Sequence, residues 1–196
     1  MALKNAKYQG NSLIEFMIAA LIGVIALGII GGVFLANQKT AAQRSKQIML
    51  QQQMSGVMQQ MKEDIQRAGF AGIETYSLML SGASSVLYHQ ANQIGYVYRS
   101  SSSSVSNTVY RLNNHMLQYC QNETPLPLDI ASVASGCFDL FMPSQIKVVQ
   151  FDVSHSLLQG ASVDSALLAI TMAAELKNDP TISHTIGLTI QQRNWQ

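Results

Sequence analysis

The stretch that decides the fold is Gln9-Gly10-Asn11-Ser12-Leu13-Ile14-Glu15, followed directly by an uncharged apolar run from Phe16 to Ala36. The run has 21 residues. As an α-helix it rises about 31 Å at about 1.5 Å per residue, close to the roughly 30 Å of a hydrocarbon core. Lys4 and Lys7 precede it, and positive residues beside a single span favour the cytoplasmic side. The sequence therefore predicts one membrane-spanning helix, with the rest of the chain facing outward.

Glu15 lies at the entrance of this span. A charge inside hydrocarbon costs roughly 2.5–3.5 kcal/mol on insertion scales, so the residue requires a physical reason. Its place in the first turn suits the positive end of the helix dipole. A carboxylate in a low-dielectric setting is also tolerated when a cation neutralises it. Neither argument gives Glu15 a catalytic role.

The segment ahead of the span differs from a conventional secretory signal, whose apolar core of about 7–15 residues precedes the cleavage site. The cationic leader, Gly10 and the following Asn-Ser-Leu-Ile-Glu instead resemble a class III signal, the substrate of prepilin peptidases. The resemblance implies cleavage after Gly10, methylation of the new terminus at Asn11, and pairing of Glu15 with the terminal amine of a neighbouring subunit. The family usually has Phe where this chain has Asn11. An uncleaved anchor with an interfacial glutamate is the alternative.

Behind the span the pattern becomes amphipathic. Apolar residues recur at spacings of three and four, which is typical of one helical stripe; they are Leu50, Met54, Val57, Met58, Met61, Ile65 and Ala68. Because no proline or turn cluster separates the stripe from the span, we expect one continuous helix from Ser12 to Ala68, ended by Gly69. The stripe is predicted to pack on its own domain, and a coiled coil with another chain is the minor alternative.

Gly28, Gly31 and Gly32 lie inside the span. An interior glycine weakens a helix by about 1 kcal/mol relative to alanine, so this is the expected place for flexibility, as a bend or local unwinding. Small residues are also common where membrane helices touch, so close helix packing explains them equally well.

The remainder of the chain predicts an antiparallel β-sheet domain, because apolar and polar residues alternate in several short segments. Together with the long helix, this gives an α+β fold. The expected strands are Val86–His89, Ile94–Arg99, Thr108–Leu112, Met116–Tyr119, Ile146–Ser154, Ser165–Ala173 and Thr185–Arg193. Asn113 and Asn114 suit a tight hairpin, since asparagine tolerates positive φ.

Cys120 and Cys137 are the only cysteines. In an outward-facing, oxidising compartment, two cysteines 17 positions apart favour a disulfide. A zinc site is the competing interpretation, but the four histidines are scattered and none lies at ligand spacing from either cysteine.

Charge and motifs favour a non-catalytic protein without a cofactor or metal. The net charge falls from +1 to −1 when Lys4 and Lys7 are removed, so no strong field attracts nucleic acid. The sequence has no nucleophile elbow, phosphate-binding loop or zinc-protease helix. Its aspartates and arginines outside the helix lie on separate segments and make neither a catalytic pair nor a basic patch; those considered are Asp139, Asp152, Asp164, Arg99, Arg111 and Arg193.

Taken whole, the chain resembles the minor pilins of the PilW family, with the related J-type pseudopilins of type II secretion close behind. The matching segments are 10–19 and Asp64–Phe70, with weaker echoes at 117–120, 146–151 and 192–194.

The resemblance implies a leader at 1–10, a transmembrane and assembly helix at 11–37, and a periplasmic or extracellular globular domain at 38–196. It implies a single-pass inner-membrane protein with a cytoplasmic N-terminus that then joins a type IV pilus, at its tip or in its priming complex. The implied partners are other minor and major pilins, prepilin peptidase and the inner-membrane assembly platform. A secretion pseudopilin, or a tip module that binds DNA or a surface, remains the alternative.

Overall fold

The computed structural model describes residues 12–158 and 165–192. By internal contacts the chain divides into two compact units between Ser45 and Lys46. One helix, α1, runs without interruption from Ser12 to Ile65 and contributes to both units. The predicted continuous helix is therefore confirmed.

The regular part of α1 ends three residues earlier than predicted. Arg67 and Ala68 donate backbone hydrogen bonds to carbonyls only three residues back, which is the tighter pattern common in a last turn. Gly69 follows with a φ of +79°, a conformation that glycine adopts at little steric cost.

Within the described residues, eight strands and one short helix, α2, follow α1. Their bounds are β1 Tyr88–Gln90, β2 Gln93–Arg99, β3 Val105–Asn113, β4 Met116–Thr124, α2 Ile130–Val133, β5 Phe138–Asp139, β6 Ile146–Leu158, β7 Ser165–Leu176 and β8 Asp179–Gln191. They form an antiparallel five-stranded sheet in the order β1-β2-β3-β4-β5 and an antiparallel three-stranded sheet in the order β6-β7-β8. The predicted α+β fold, with a long N-terminal helix on antiparallel sheets, is confirmed.

The β3–β4 hairpin turns at Asn114 and His115, one residue later than predicted. Both have positive φ, at 48° and 63°, as a two-residue turn that matches the strand twist requires. The β2–β3 connection is a serine loop whose Ser100 and Ser101 backbone N–H groups donate to the carbonyl of Ser104.

The main core lies between α1 and the two sheets. The buried α1 stripe contacts residues that point inward from both sheets: its members are Leu50, Met54, Met58, Met61 and Ile65, and their neighbours include Tyr96, Tyr110, Phe151, Leu168 and Ile170. The stripe therefore packs on its own domain, as predicted. A second, smaller cluster covers the opposite face of the five-stranded sheet and includes Leu80, Val97, Val109 and Val133.

Candidate functional site

The first half of α1 has an apolar surface that the chain itself does not cover. Every described side chain from Leu13 to Ile48 is exposed, and Phe16, for example, retains 73% of its accessible surface. The helix is long and apolar enough to cross a membrane. Monomeric soluble proteins rarely expose a continuous apolar surface of this size, and such a surface is typical of a segment that lipid or other helices surround.

Glu15 is the acidic residue of the first turn of α1. The next acidic residue along the chain is Glu63, so the exposed apolar segment carries its negative charge at one end only. Gly10 and Asn11, the expected cleavage site, lie outside the described residues. The roles expected for these three residues in processing and assembly stay predictions.

The helix is continuous through Gly28, Gly31 and Gly32. A Cβ atom added at any of the three would have no atom within 4 Å, so the packing of the described chain does not require glycine there. Close packing against other helices and helix flexibility at this point both stay predictions.

The far end of α1 is attached to the five-stranded sheet by a polar contact. The Tyr110 hydroxyl donates a hydrogen bond of 2.9 Å to Asp64 Oδ2, and Arg67 lies 3.6 Å from Asp64 Oδ1. Burial, reinforced by the negative charge of Asp64, raises the pKa of Tyr110 above its ordinary value and that of Tyr119 to about 12. Both tyrosines therefore stay neutral at physiological pH and can donate.

Backbone hydrogen bonds continue this attachment beyond the helix. The Gly69 N–H donates to the Val97 carbonyl at 2.9 Å, and the Arg99 N–H donates to the Phe70 carbonyl at 2.7 Å. The chain leaving α1 is thereby joined directly to β2. The orientation of the buried half of α1 on the sheet is fixed by side-chain and main-chain contacts together.

The structure forms the predicted disulfide between Cys120 and Cys137, with the two Cα atoms 4.2 Å apart. Cys120 is fully buried in the smaller core cluster. The bond joins the central part of β4 to the segment between α2 and β5. It thereby closes a loop that consists largely of irregular structure. The disulfide thus stabilises a part of the domain that has few ladder hydrogen bonds.

Among the described residues, Asp139 and Arg111 meet at Gln118, whereas Asp152 and Arg99 have other surroundings. Asp139 accepts a hydrogen bond from Gln118 at 3.0 Å, Asp152 accepts one from Gln150, and Arg111 donates to Gln118 at 3.0 Å. Asp164 and Arg193 lie outside the described residues. Within residues 12–158 and 165–192, no three His, Cys, Asp or Glu side chains are grouped as metal ligands.

Arg99 lies instead at an open cleft of about 470 Å³ beside the serine loop. The opposite wall is the turn after α1, where Ile73 is fully exposed. Neither wall contains a nucleophile paired with a base. The candidate functional site is therefore the first half of α1, because its apolar surface is large and exposed.

Sequence patterns missed the contact between Asp64 and Tyr110. Asp64 lies in the segment Asp64–Phe70, which resembles pilins, but its partner is 46 residues away and no local spacing indicates it.

Comparison with known proteins identifies the family. Residues 43–192 match the family described as prepilin peptidase-dependent protein B, PpdB. No curated protein and no solved structure matches the chain. The matched region begins in α1 and ends just past β8, so it includes the buried half of α1 and both sheets. The chain, a pilin-like protein by its fold, belongs to the prepilin peptidase-dependent protein B family.

Proposed function

We propose that this protein is a non-catalytic minor pilin of the PilW type that helps to start a type IV pilus. It is held in the inner membrane by the first half of α1 and then passes into the priming complex at the pilus tip. The observation that carries the proposal is the exposed apolar segment of α1 with a single carboxylate, Glu15, at its end.

The exposed apolar segment has to stay out of water both before and after assembly. In the membrane, lipid tails surround the apolar side chains between Phe16 and Ala36. On assembly, the helices of neighbouring subunits replace the lipid, so the segment stays out of water in both states. Small residues such as Gly28 and Gly32 favour close approach of a neighbouring helix. The same surface therefore serves for membrane residence and for assembly.

Glu15 determines which neighbouring helix replaces the lipid and in which register the two helices pack. Its carboxylate favours a cationic neighbour once lipid replaces water, and the resemblance to pilins points to the terminal amine of an adjacent subunit. That pairing fixes how far one helix slides along the next, because a shift of one helical turn moves the charges about 5 Å apart. The sheet domain then supplies contacts between neighbouring subunits.

The proposal is tested by Glu15→Gln, which keeps the size of the side chain and removes the charge. Glu63→Gln is the matched control, because it makes the same change on an exposed residue of the same helix, outside the apolar segment. We expect the Glu15 variant to reach the membrane and be cleaved normally. Its co-purification with other pilins, and the number of pili per cell, should fall.

Mass spectrometry of the mature protein should find an N-methylated chain that begins at Asn11. Normal pilus number and normal partner recovery in Glu15→Gln cells would contradict the assembly role. Normal pili combined with failed protein secretion in cells lacking the protein would assign it to a secretion pseudopilus instead.

A further inference from the structure

The two sheets have four edge strands, and three of them are short or covered. β1 and β5, the edges of the five-stranded sheet, have only three and two residues. β6 is long but contacts the five-stranded sheet, has a bulge between Val148 and Gln150, and receives His115 against its backbone. Short length, bulges and cover are the usual means by which proteins prevent unwanted strand pairing.

β8 has none of these protections along most of its length. It has 13 residues and pairs with β7 on one side, and no strand in residues 12–158 or 165–192 pairs with its other side. Its single proline, Pro180, is its second residue, and no Asp, Glu, Lys or Arg lies between Pro180 and Gln191. The register with β7 is regular from His184 to Gln191. Between Thr181 and Ile190, β8 is therefore a long and uncharged edge that no described strand covers.

The direction of its backbone groups follows from one hydrogen bond. The Gln192 N–H donates to the Ala166 carbonyl in β7 at 2.9 Å. Because such bonds alternate along an antiparallel pair, the N–H and C=O groups of Thr185, Gly187 and Thr189 point away from β7. These groups form a row that an additional strand could bind.

The side chains of β8 define the chemistry of that strand. Ile182, Ile186 and Leu188 point toward the main core but are only half-buried at this edge. The alternate residues, among them Thr185 and Thr189, are exposed and neutral. An added strand fits when it is uncharged and places apolar side chains at every second position, beside the half-buried residues.

We propose that β8 is the edge to which a different pilin-class subunit adds an extended strand in the assembled complex. This inference rests on the proposed function. Pairing of β8 with a second copy of itself is disfavoured by symmetry. The two-fold axis that continues an antiparallel sheet is perpendicular to the sheet and reverses every direction within its plane. The α1 half that packs on the sheets would then point oppositely in the two copies, which conflicts with anchoring both in one membrane.

The test uses Thr185→Pro in the full-length protein, in cells that assemble the filament. Proline removes the outward N–H of Thr185 and leaves the hydrogen bonds to β7 in place. Thr185→Val is the matched control, because it retains the backbone donor. Thr185→Lys is a second variant that introduces a charge at the edge without altering the backbone, and it decides the question when the proline variant does not fold.

A photo-reactive phenylalanine analogue at position 185 identifies the partner, and the same analogue at Ser154, exposed on β6, serves as the comparison. We expect cross-linking to another pilin subunit from position 185 and little from position 154. Proline and lysine should lower the yield of the hetero-subunit complex at least tenfold, whereas valine should preserve it.

Three results would overturn the proposal: normal complexes with both Thr185→Pro and Thr185→Lys, equal cross-linking from the two positions, or cross-linking only to a second copy of this chain. Glu15→Gln, made in the same cells, separates the two proposals. Loss of assembly with Glu15→Gln but not with the Thr185 variants rejects strand addition and retains the pilin function. Normal assembly with every variant rejects both.

Discussion

Replacing Tyr110 by phenylalanine tests how the end of α1 is attached to the sheet. The change removes one hydroxyl and keeps the buried ring. That hydroxyl donates to Asp64 at 2.9 Å, and a hydrogen bond to a charged group contributes about 1.5–3 kcal/mol. The Asp64 side chain is 16% exposed and also lies near Arg67, so water and the guanidinium compensate in part. We therefore expect a loss of about 2 kcal/mol.

Tyr96→Phe is the matched control. Tyr96 belongs to the same buried cluster, and its hydroxyl interacts with Tyr110 but makes no hydrogen bond of normal geometry within the described residues. An unpaired buried hydroxyl costs about 1–3 kcal/mol, so its removal should leave the stability unchanged or raise it. Two tyrosine-to-phenylalanine changes in one cluster thus have opposite expected signs.

The assay is thermal unfolding of the full-length protein in a mild detergent, followed by near-ultraviolet circular dichroism of the packed tyrosines. A loss of about 2 kcal/mol should lower Tm by about 4–8 °C for a chain of this size. A double-mutant cycle with Asp64→Asn should give a coupling of about 0.5–3 kcal/mol. Equal Tm changes in Tyr110→Phe and Tyr96→Phe, or zero coupling to Asp64, would refute the attachment.

Three other predictions concern the sheet domain. Gly95→Ala should destabilise it by about 1 kcal/mol, because an added Cβ would lie 2.6 Å from the end of the Ile130 side chain and 3.0 Å from that of Leu80; thermal melts measure the loss. Reducing the bond between Cys120 and Cys137 should cost about 3 kcal/mol, the chain-entropy value for such a loop, as melts with and without reductant will show. Burial and the neighbouring His89 lower the pKa of His155, so its contribution to stability is present above about pH 6.5 and decreases on acidification; His155→Gln should reduce this pH dependence in melts from pH 7.5 to 5.

Each has an outcome that contradicts it. A Gly95→Ala protein that melts like the wild type would mean that the Ile130 side chain moves aside without cost. An unchanged melt after complete reduction would remove the disulfide from the account of stability. An identical pH profile in the wild type and His155→Gln would assign the acid sensitivity to other groups.

The spacing of apolar residues predicted the long helix and the long strands, because each of these elements repeats the same spacing several times. The stripe from Leu50 to Ile65 has the helical spacing of three and four, and in β7 every second residue from Ala166 to Leu176 is apolar and buried. α2 and β5 have only four and two residues, which is too short for a period to register. Asp129, whose side chain caps α2 by accepting from two backbone N–H groups, was the one available signal for that helix.

Of the candidate sites, some could be predicted from adjacent residues and others depend on contacts between distant parts of the chain. Glu15 and the apolar run are contiguous in sequence, so their chemistry was visible without a structure. The open edge at β8 depends on which strand ends the sheet, and the partner of Asp64 depends on how α1 crosses β3. Both are properties of long-range pairing, and a single sequence contains no measure of it.

The uninterrupted helix has a mechanical consequence. In a pilus of the proposed kind, tension would pull along α1 and would enter the sheet domain through the buried side chains from Leu50 to Ile65, which extend over about four helical turns. Because these contacts lie along the direction of pulling, the force loads them together in shear. A strand that is pulled away from the edge of a sheet would instead lose its contacts one at a time. The hydrogen bond from Gly69 to Val97 lies beyond this stretch and takes up load only after the stripe begins to slip. The subunit can therefore transmit traction through its core before its backbone connections are strained.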